Sequence, residues 1–119
     1  MSIPNEALQK LMQDIESKAA FSQQQLTIVK AQMAAKQRDI RLLQLTGKEL
    51  EKLPAGTRTY ESVGKMFVQE DITNVQRRLA KEEAGLKGDI KDLEKKHTYL
   101  ETTYVNAQDG LNAILKGGR

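Results

Sequence analysis

The chain has no cysteine and no tryptophan in its 119 residues, only two prolines, and five aromatic side chains: Phe21, Tyr60, Phe67, Tyr99 and Tyr104. Without a thiol there is no disulfide, no thiol nucleophile and no thiolate metal site, a composition compatible with a reducing compartment. So few large side chains do not fill a thick globular core, and the abundance of alanine, leucine, glutamine and lysine favours helices buried along one stripe. No stretch approaches the roughly 18 apolar residues of a membrane-spanning helix. The first ten residues lack the apolar centre of a secretory signal, so a soluble, cytoplasmic protein without membrane contact is expected. Charge of one sign is lacking too. Nineteen basic and sixteen acidic residues are interleaved, and the longest basic runs are Arg77-Arg78 and Lys95-Lys96. That pattern describes solvated helix faces with weak pairs such as Asp14 with Lys18 and Asp92 with Lys96, and a nucleic-acid partner is not expected.

Catalytic chemistry is equally poorly supplied. His97 is the single histidine, and the carboxylate pairs Glu49/Glu51, Glu70/Asp71 and Glu82/Glu83 have no histidine or second cluster at ligand spacing. There is no phosphate-cradling glycine loop, serine elbow or metal motif. No enzyme, metal or cofactor is expected, and two zipped helices are expected to offer no concave pocket.

What is present is periodicity. Leu8, Met12, Ile15, Ala19, Ser22, Leu26, Val29, Met33, Lys36, Ile40 and Leu43 form a continuous four-three ladder interrupted only by Ser22 and Lys36. A second ladder, Ile72, Leu79, Leu86, Leu93, Leu100, Ala107 and Ile114, repeats every seven residues, with Val75, Ile90, Tyr104 and Leu111 in its companion row. These are coiled-coil seams. The expected fold is mainly α: one domain over residues 1–119, with helices over about 5–53 and 72–116 folded into an antiparallel two-helix coiled coil. His97 then reads as a polar seam marker, and Lys36 is expected roughly across from Glu83 as a register-fixing ion pair.

The island between the helices has a different composition. Pro4 suits the first turn of the first helix, with Ser2 or Asn5 as cap. Pro54 ends that helix, and Gly47 loosens its last turns. Residues 57–62 and 65–70 favour strand, and Gly64 supplies the positive φ of a tight reversal, which predicts a β-hairpin at 57–70. Asp71 or Thr73 caps the second helix and Gly117-Gly118 stops it, while Gly85, Gly88 and Gly110 fall inside it. A lone two-stranded hairpin is marginal in water, and Met66-Phe67-Val68 puts apolar side chains on both of its faces. It is therefore the expected assembly element. At the other extremity of the pattern, Leu11 and Leu115 lie off the seam rows beside Leu8, Met12, Ile15, Leu111 and Ile114. They either widen the local core or form an apolar grip for non-native chains.

Tyr60-Glu-Ser-Val-Gly-Lys-Met-Phe67 resembles the hairpin of β-class prefoldin subunits, and Lys91-Asp-Leu-Glu-Lys-Lys-His-Thr-Tyr-Leu-Glu101 is similar to their second helix. The helix, single hairpin, helix layout covers the whole chain. The resemblance implies a prefoldin β-type tentacle in a heterohexamer of two α-class and four β-class subunits, whose hairpins build a double β-barrel. It implies ATP-independent binding of nascent or unfolded proteins, actin and tubulin foremost, and their delivery to the cytosolic group II chaperonin. The implied client-binding tip is Leu8, Leu11, Met12, Ile15, Leu111, Ile114 and Leu115. The implied assembly surface is Tyr60, Val63, Gly64, Met66, Phe67 and Val68. The chain departs from an ideal β-class arm in the glycines of its second helix and in its short tail from Lys116. A structural coiled-coil adaptor that binds one folded partner is the competing reading from the residues alone.

Overall fold

The computed structural model describes residues 4–117. Their order is helix α1 (Asn5–Glu51), strands β1 (Thr59–Val63) and β2 (Met66–Glu70), and helix α2 (Ile72–Gly117). The cap proposed at Ser2 and the stop at Gly118 lie outside the described residues.

Each boundary has a local cause. Pro4 precedes α1 rather than occupying its first turn, and its carbonyl accepts the first helical bond, from Leu8 N–H at 2.9 Å. Asp71 takes the same place before α2, accepting from Val75 N–H at 3.0 Å. At the far end of α1 the ladder tightens: Lys52 and Leu53 donate to the carbonyls of Glu49 and Leu50, three residues back, at 3.3 and 3.2 Å. Pro54 then forbids continuation. Residues 54–57 make a turn closed by Thr57 N–H on the Pro54 carbonyl at 3.2 Å, with Gly56 at φ 86°. A positive φ at the third position is the type II signature.

The strands pair antiparallel from Thr59↔Glu70 to Val63↔Met66, one residue further along than predicted at each strand's tip side. Only Gly64 and Lys65 remain for the reversal, and Gly64 has φ 60°. Glycine with positive φ at the first central position gives a type II′ turn, whose twist suits a two-residue hairpin.

The chain divides into two compact units. One joins the residues up to Met33 with those from Asp92 onward. Its core is Leu26, Val29 and Leu100, flanked by Met33, Leu93 and Tyr104. Val29 is completely enclosed, and Ala19, Ser22 and Ala107 are also buried. Small residues alternate with large ones along this seam, a pattern that lets facing side chains interdigitate. Gly110 lies against Ile15, whose Cδ1 is 3.7 Å from where a Cβ would be.

The other unit is Ala34–Lys91. Ile40 and Ile90 are buried in it. Lys36 Nζ meets Asp89 Oδ2 at 3.3 Å, and Gln44 Nε2 donates to Glu83 Oε1 at 2.6 Å. Rising positions on α1 meet falling positions on α2, so the helices are antiparallel. Every position of the first ladder, and every position of the second with its companion row, is buried or half-buried.

Two expectations are corrected at this level. Lys36 pairs with Asp89, not Glu83; Glu83 is taken by Gln44 and, at 3.5 Å, by Lys87. The helix ion pairs among the described residues are also not Asp14–Lys18 or Asp92–Lys96 but Arg78–Glu82 and Lys87–Glu83, with His97 Nδ1 at 3.4 Å from Glu101.

Candidate functional site

The hairpin presents two different faces. Its register puts Thr59, Glu61, Val63, Met66, Val68 and Glu70 on one face, and Tyr60, Ser62, Phe67 and Gln69 on the other. The first face is anchored at its root. Thr59 Oγ1 donates to the Glu70 carbonyl, and Arg78 of α2 forms an ion pair with Glu61 of β1. The hydrogen bond to Glu61, reinforced by the charges of Glu61, Glu82 and Glu70, holds the Arg78 guanidinium above its ordinary pKa. The Arg78–Glu61 pair ties the hairpin to the first turns of α2.

Beyond this anchor the hairpin is bare. Tyr60, Val63, Met66, Phe67 and Val68 are all exposed, Met66 and Phe67 by 70 and 72%. Val63, Met66 and Val68 share one face, and Tyr60 and Phe67 lie diagonally on the other. Both strands are edges, and among the described residues no further strand pairs with their outward N–H and C=O groups. An apolar, two-sided, open-edged ribbon has the chemistry that strand addition uses.

The predicted tip residues fall into two groups. Leu8, Met12, Ile15, Leu111 and Ile114 are half-buried seam residues. Leu11 and Leu115 are exposed by 42 and 58%. The contact of Ile15 with Gly110 joins the two terminal segments. Of the seven, Leu11 and Leu115 thus offer free apolar area without loss of seam packing. The sequence reading missed Phe21, Ile28, Tyr99 and Val105 in the same unit, which are exposed by 60, 42, 71 and 48%. Phe21 and Ile28 are seven residues apart, two places beyond the seam positions Ala19 and Leu26, and that spacing was the available signal.

The expectation of no concavity is also corrected. Gly47 continues the α1 seam after Leu43 but places no side chain between the helices. An open groove of about 660 Å³ results, lined by Leu43, Gly47, Gln76, Leu79, Ala80 and Glu83 among others. Among the described residues no group of three or more His, Cys, Asp or Glu side chains is disposed to hold a metal ion, and no helix is long and apolar enough to cross a membrane.

Comparison with known proteins fits this architecture. A family model described as prefoldin subunit matches residues 13–118. The probable prefoldin subunit 1 of Schizosaccharomyces pombe is 43% identical over 107 residues, covering 90% of this chain and 96% of that protein. Prefoldin subunit 1 of Saccharomyces cerevisiae is 32% identical, covering 92% and 99%, and that of Homo sapiens is 30% identical, covering 89% and 94%. The crystal structure of the prefoldin beta subunit from Thermococcus strain KS-1 superposes with a TM-score of 0.76 at 22% identity, over 94% of both chains. The chain belongs to the prefoldin subunit family. It is accordingly a non-catalytic component of a co-chaperone that binds unfolded proteins and delivers them onward.

Proposed function

We propose that the chain is a β-class subunit of a cytoplasmic heterohexamer with two α-class and three further β-class members. In this reading the complex captures nascent or unfolded actin and tubulin without ATP and passes them to the cytosolic group II chaperonin. Client contact is assigned to Leu8, Leu11, Met12, Ile15, Leu111, Ile114 and Leu115, and assembly to Tyr60, Val63, Gly64, Met66, Phe67 and Val68. The observation that carries the reading is the hairpin: five large apolar side chains are exposed on its two faces and both edges are open. Such a ribbon needs strands from other chains. Near-full-length likeness to prefoldin subunit 1 proteins supports the same conclusion.

The test is co-expression with the candidate α- and β-class subunits. Native mass measurement should give a six-chain complex, and that complex should suppress aggregation of denatured actin and of an unrelated denatured protein without nucleotide. A chain that stays alone, or that binds a single folded protein and no denatured one, would sink the proposal.

A further inference from the structure

The hairpin is joined to the two helices unequally. Between α1 and β1 lie residues 52–58, whose turn is held within itself: Thr57 donates to the Pro54 carbonyl from both its N–H and its Oγ1, at 3.2 and 2.6 Å. Between β2 and α2 lies Asp71 alone. Its carbonyl is already committed to α2, accepting from Val75 N–H. The direction in which the hairpin leaves α2 is thus set by the backbone dihedrals around one residue, since the peptide units themselves are rigid. The longer connection to α1 constrains that direction less.

One side-chain contact closes this joint. Arg78, in the first turns of α2, pairs with Glu61 on β1, the strand that is not joined to α2. Thr59 Oγ1 on the Glu70 carbonyl ties the two strands at their root, so a grip on β1 holds the whole ribbon. Arg78 Nε also stands 3.9 Å from Glu82, one turn further along. The guanidinium therefore bridges a carboxylate of the hairpin and one of its own helix. Both side chains of the Arg78–Glu61 pair are 39% exposed, and a pair so open to solvent adds little to folding stability. Its consequence is directional. Glu61 shares a strand face with Val63, Met66 and Val68, so the pair selects that face to turn toward α2 at the root and leaves the face of Tyr60 and Phe67 turned away.

We infer that Arg78 is a positioning residue for assembly: by holding Glu61 it stops the hairpin pivoting about Asp71 and sets the angle at which its faces and edges meet neighbouring strands. A ribbon already held in its joining direction loses less freedom when other subunits dock on it, which raises affinity without a new contact. This role rests on the hairpin-assembly reading above and adds residues that lie outside the joining surface itself.

The absence of native cysteine makes the test direct. Lys65→Cys at the hairpin turn and Lys81→Cys on α2, both exposed positions, carry spin labels in the full chain. Into this parent go Glu61→Gln, Arg78→Gln, both together, and Arg77→Gln as the control for loss of a neighbouring charge. Pulsed electron resonance on the unassembled chain should show a narrow distance distribution for the parent and Arg77→Gln, and a broader one for each pair variant at unchanged helicity. Assembly with the other subunits should weaken by about two- to tenfold in either single pair variant, the cost of ordering one freed element. The double variant should be no worse than Arg78→Gln alone, because the two changes remove one contact. A distribution as narrow in Glu61→Gln as in the parent overturns the clamp. Broadening with undiminished assembly overturns its role in positioning, and additive losses or an equal loss in Arg77→Gln overturn the pair as the cause. Loss of hydrogen-exchange protection in the strands of Glu61→Gln would mean melting rather than pivoting and overturns it too. If Arg78→Gln loses helicity, Glu61→Gln, whose change lies on the strand, decides the matter. If the wild-type chain enters no complex on native mass measurement, the assembly reading itself fails, while the distance distributions still decide the clamp.

Discussion

Replacing Leu11 and Leu115 by serine separates client binding from folding, because these two side chains already face water. With 42 and 58% of each residue exposed, the free energy still available from burying them against a client is the corresponding fraction of the roughly 1.5–3 kcal/mol for a full leucine. Together that is about 2 kcal/mol per tip, or roughly a thirtyfold change in a dissociation constant if one tip acts alone. The same substitution removes little seam packing. It should leave the thermal midpoint within a few degrees, since surface changes usually stay within about 0.5 kcal/mol. The assay is fluorescence titration of a labelled, chemically denatured protein with the assembled complex, beside far-ultraviolet circular dichroism. Unchanged affinity with unchanged helicity in a complex whose other tips carry equivalent serines would refute the assignment of the tip. Loss of helicity would refute the claim that these leucines are spare.

Val29→Ala should destabilise the chain by about 1–2 kcal/mol in a urea titration, because a fully enclosed side chain loses two methyl groups, offset in part by the better helix propensity of alanine. Gly64→Val forces a β-branched residue to φ 60° and should cost at least about 1–2 kcal/mol of hairpin stability, read as loss of assembly with helicity kept. Gly85→Ala and Gly88→Ala meet nothing within 4 Å, and each should raise stability by about 1 kcal/mol. Gly110→Ala should do the same, its new methyl 3.7 Å from Ile15 Cδ1 and so at ordinary contact distance; a lower thermal midpoint for any of the three would contradict the room for a methyl group there. Phe67→Asp should preserve the helical spectrum and abolish complex formation on native mass measurement.

The seams were legible because a four-three recurrence depends only on the helical period, and burial follows it from Leu8 to Ile114 without exception. The hairpin was legible for a different reason: Gly64 between two β-favouring runs leaves little choice of reversal. Register across the helix pair was not legible. The stagger that sets Lys36 against Asp89 rather than Glu83 depends on how Leu53 leaves α1, on the Pro54–Thr57 turn and on the Arg78–Glu61 anchor, and no periodicity encodes those. Gly56 was missed as a second positive-φ residue although Pro-Ala-Gly carries the turn chemistry. The groove beside Gly47 was missed because a ladder search counts side chains and overlooks the place where one is absent. Exposed apolar positions were legible where they break the rows, as at Leu11 and Leu115, or crowd both faces of a short strand, as at Phe67. Leu42 and Leu45 also break them but were passed over, since an exposed leucine is ordinary until its neighbours are known.

The modest strength of one tip also ties client capture to assembly. About 2 kcal/mol from Leu11 and Leu115 corresponds to a dissociation constant of tens of millimolar, far too weak to compete with aggregation. Several such contacts linked in one complex gain about 10²–10⁴ in avidity through effective concentration, with no new contact made. Capture then lowers the free unfolded population by mass action, which needs no nucleotide. Phe67→Asp should therefore lose aggregation suppression almost completely even though every residue of its tip is untouched. A Phe67→Asp chain that remains unassembled yet protects a denatured protein as well as the complex does would mean that a single chain binds strongly, and the exposed Phe21, Ile28, Tyr99 and Val105 would then be the surface to examine.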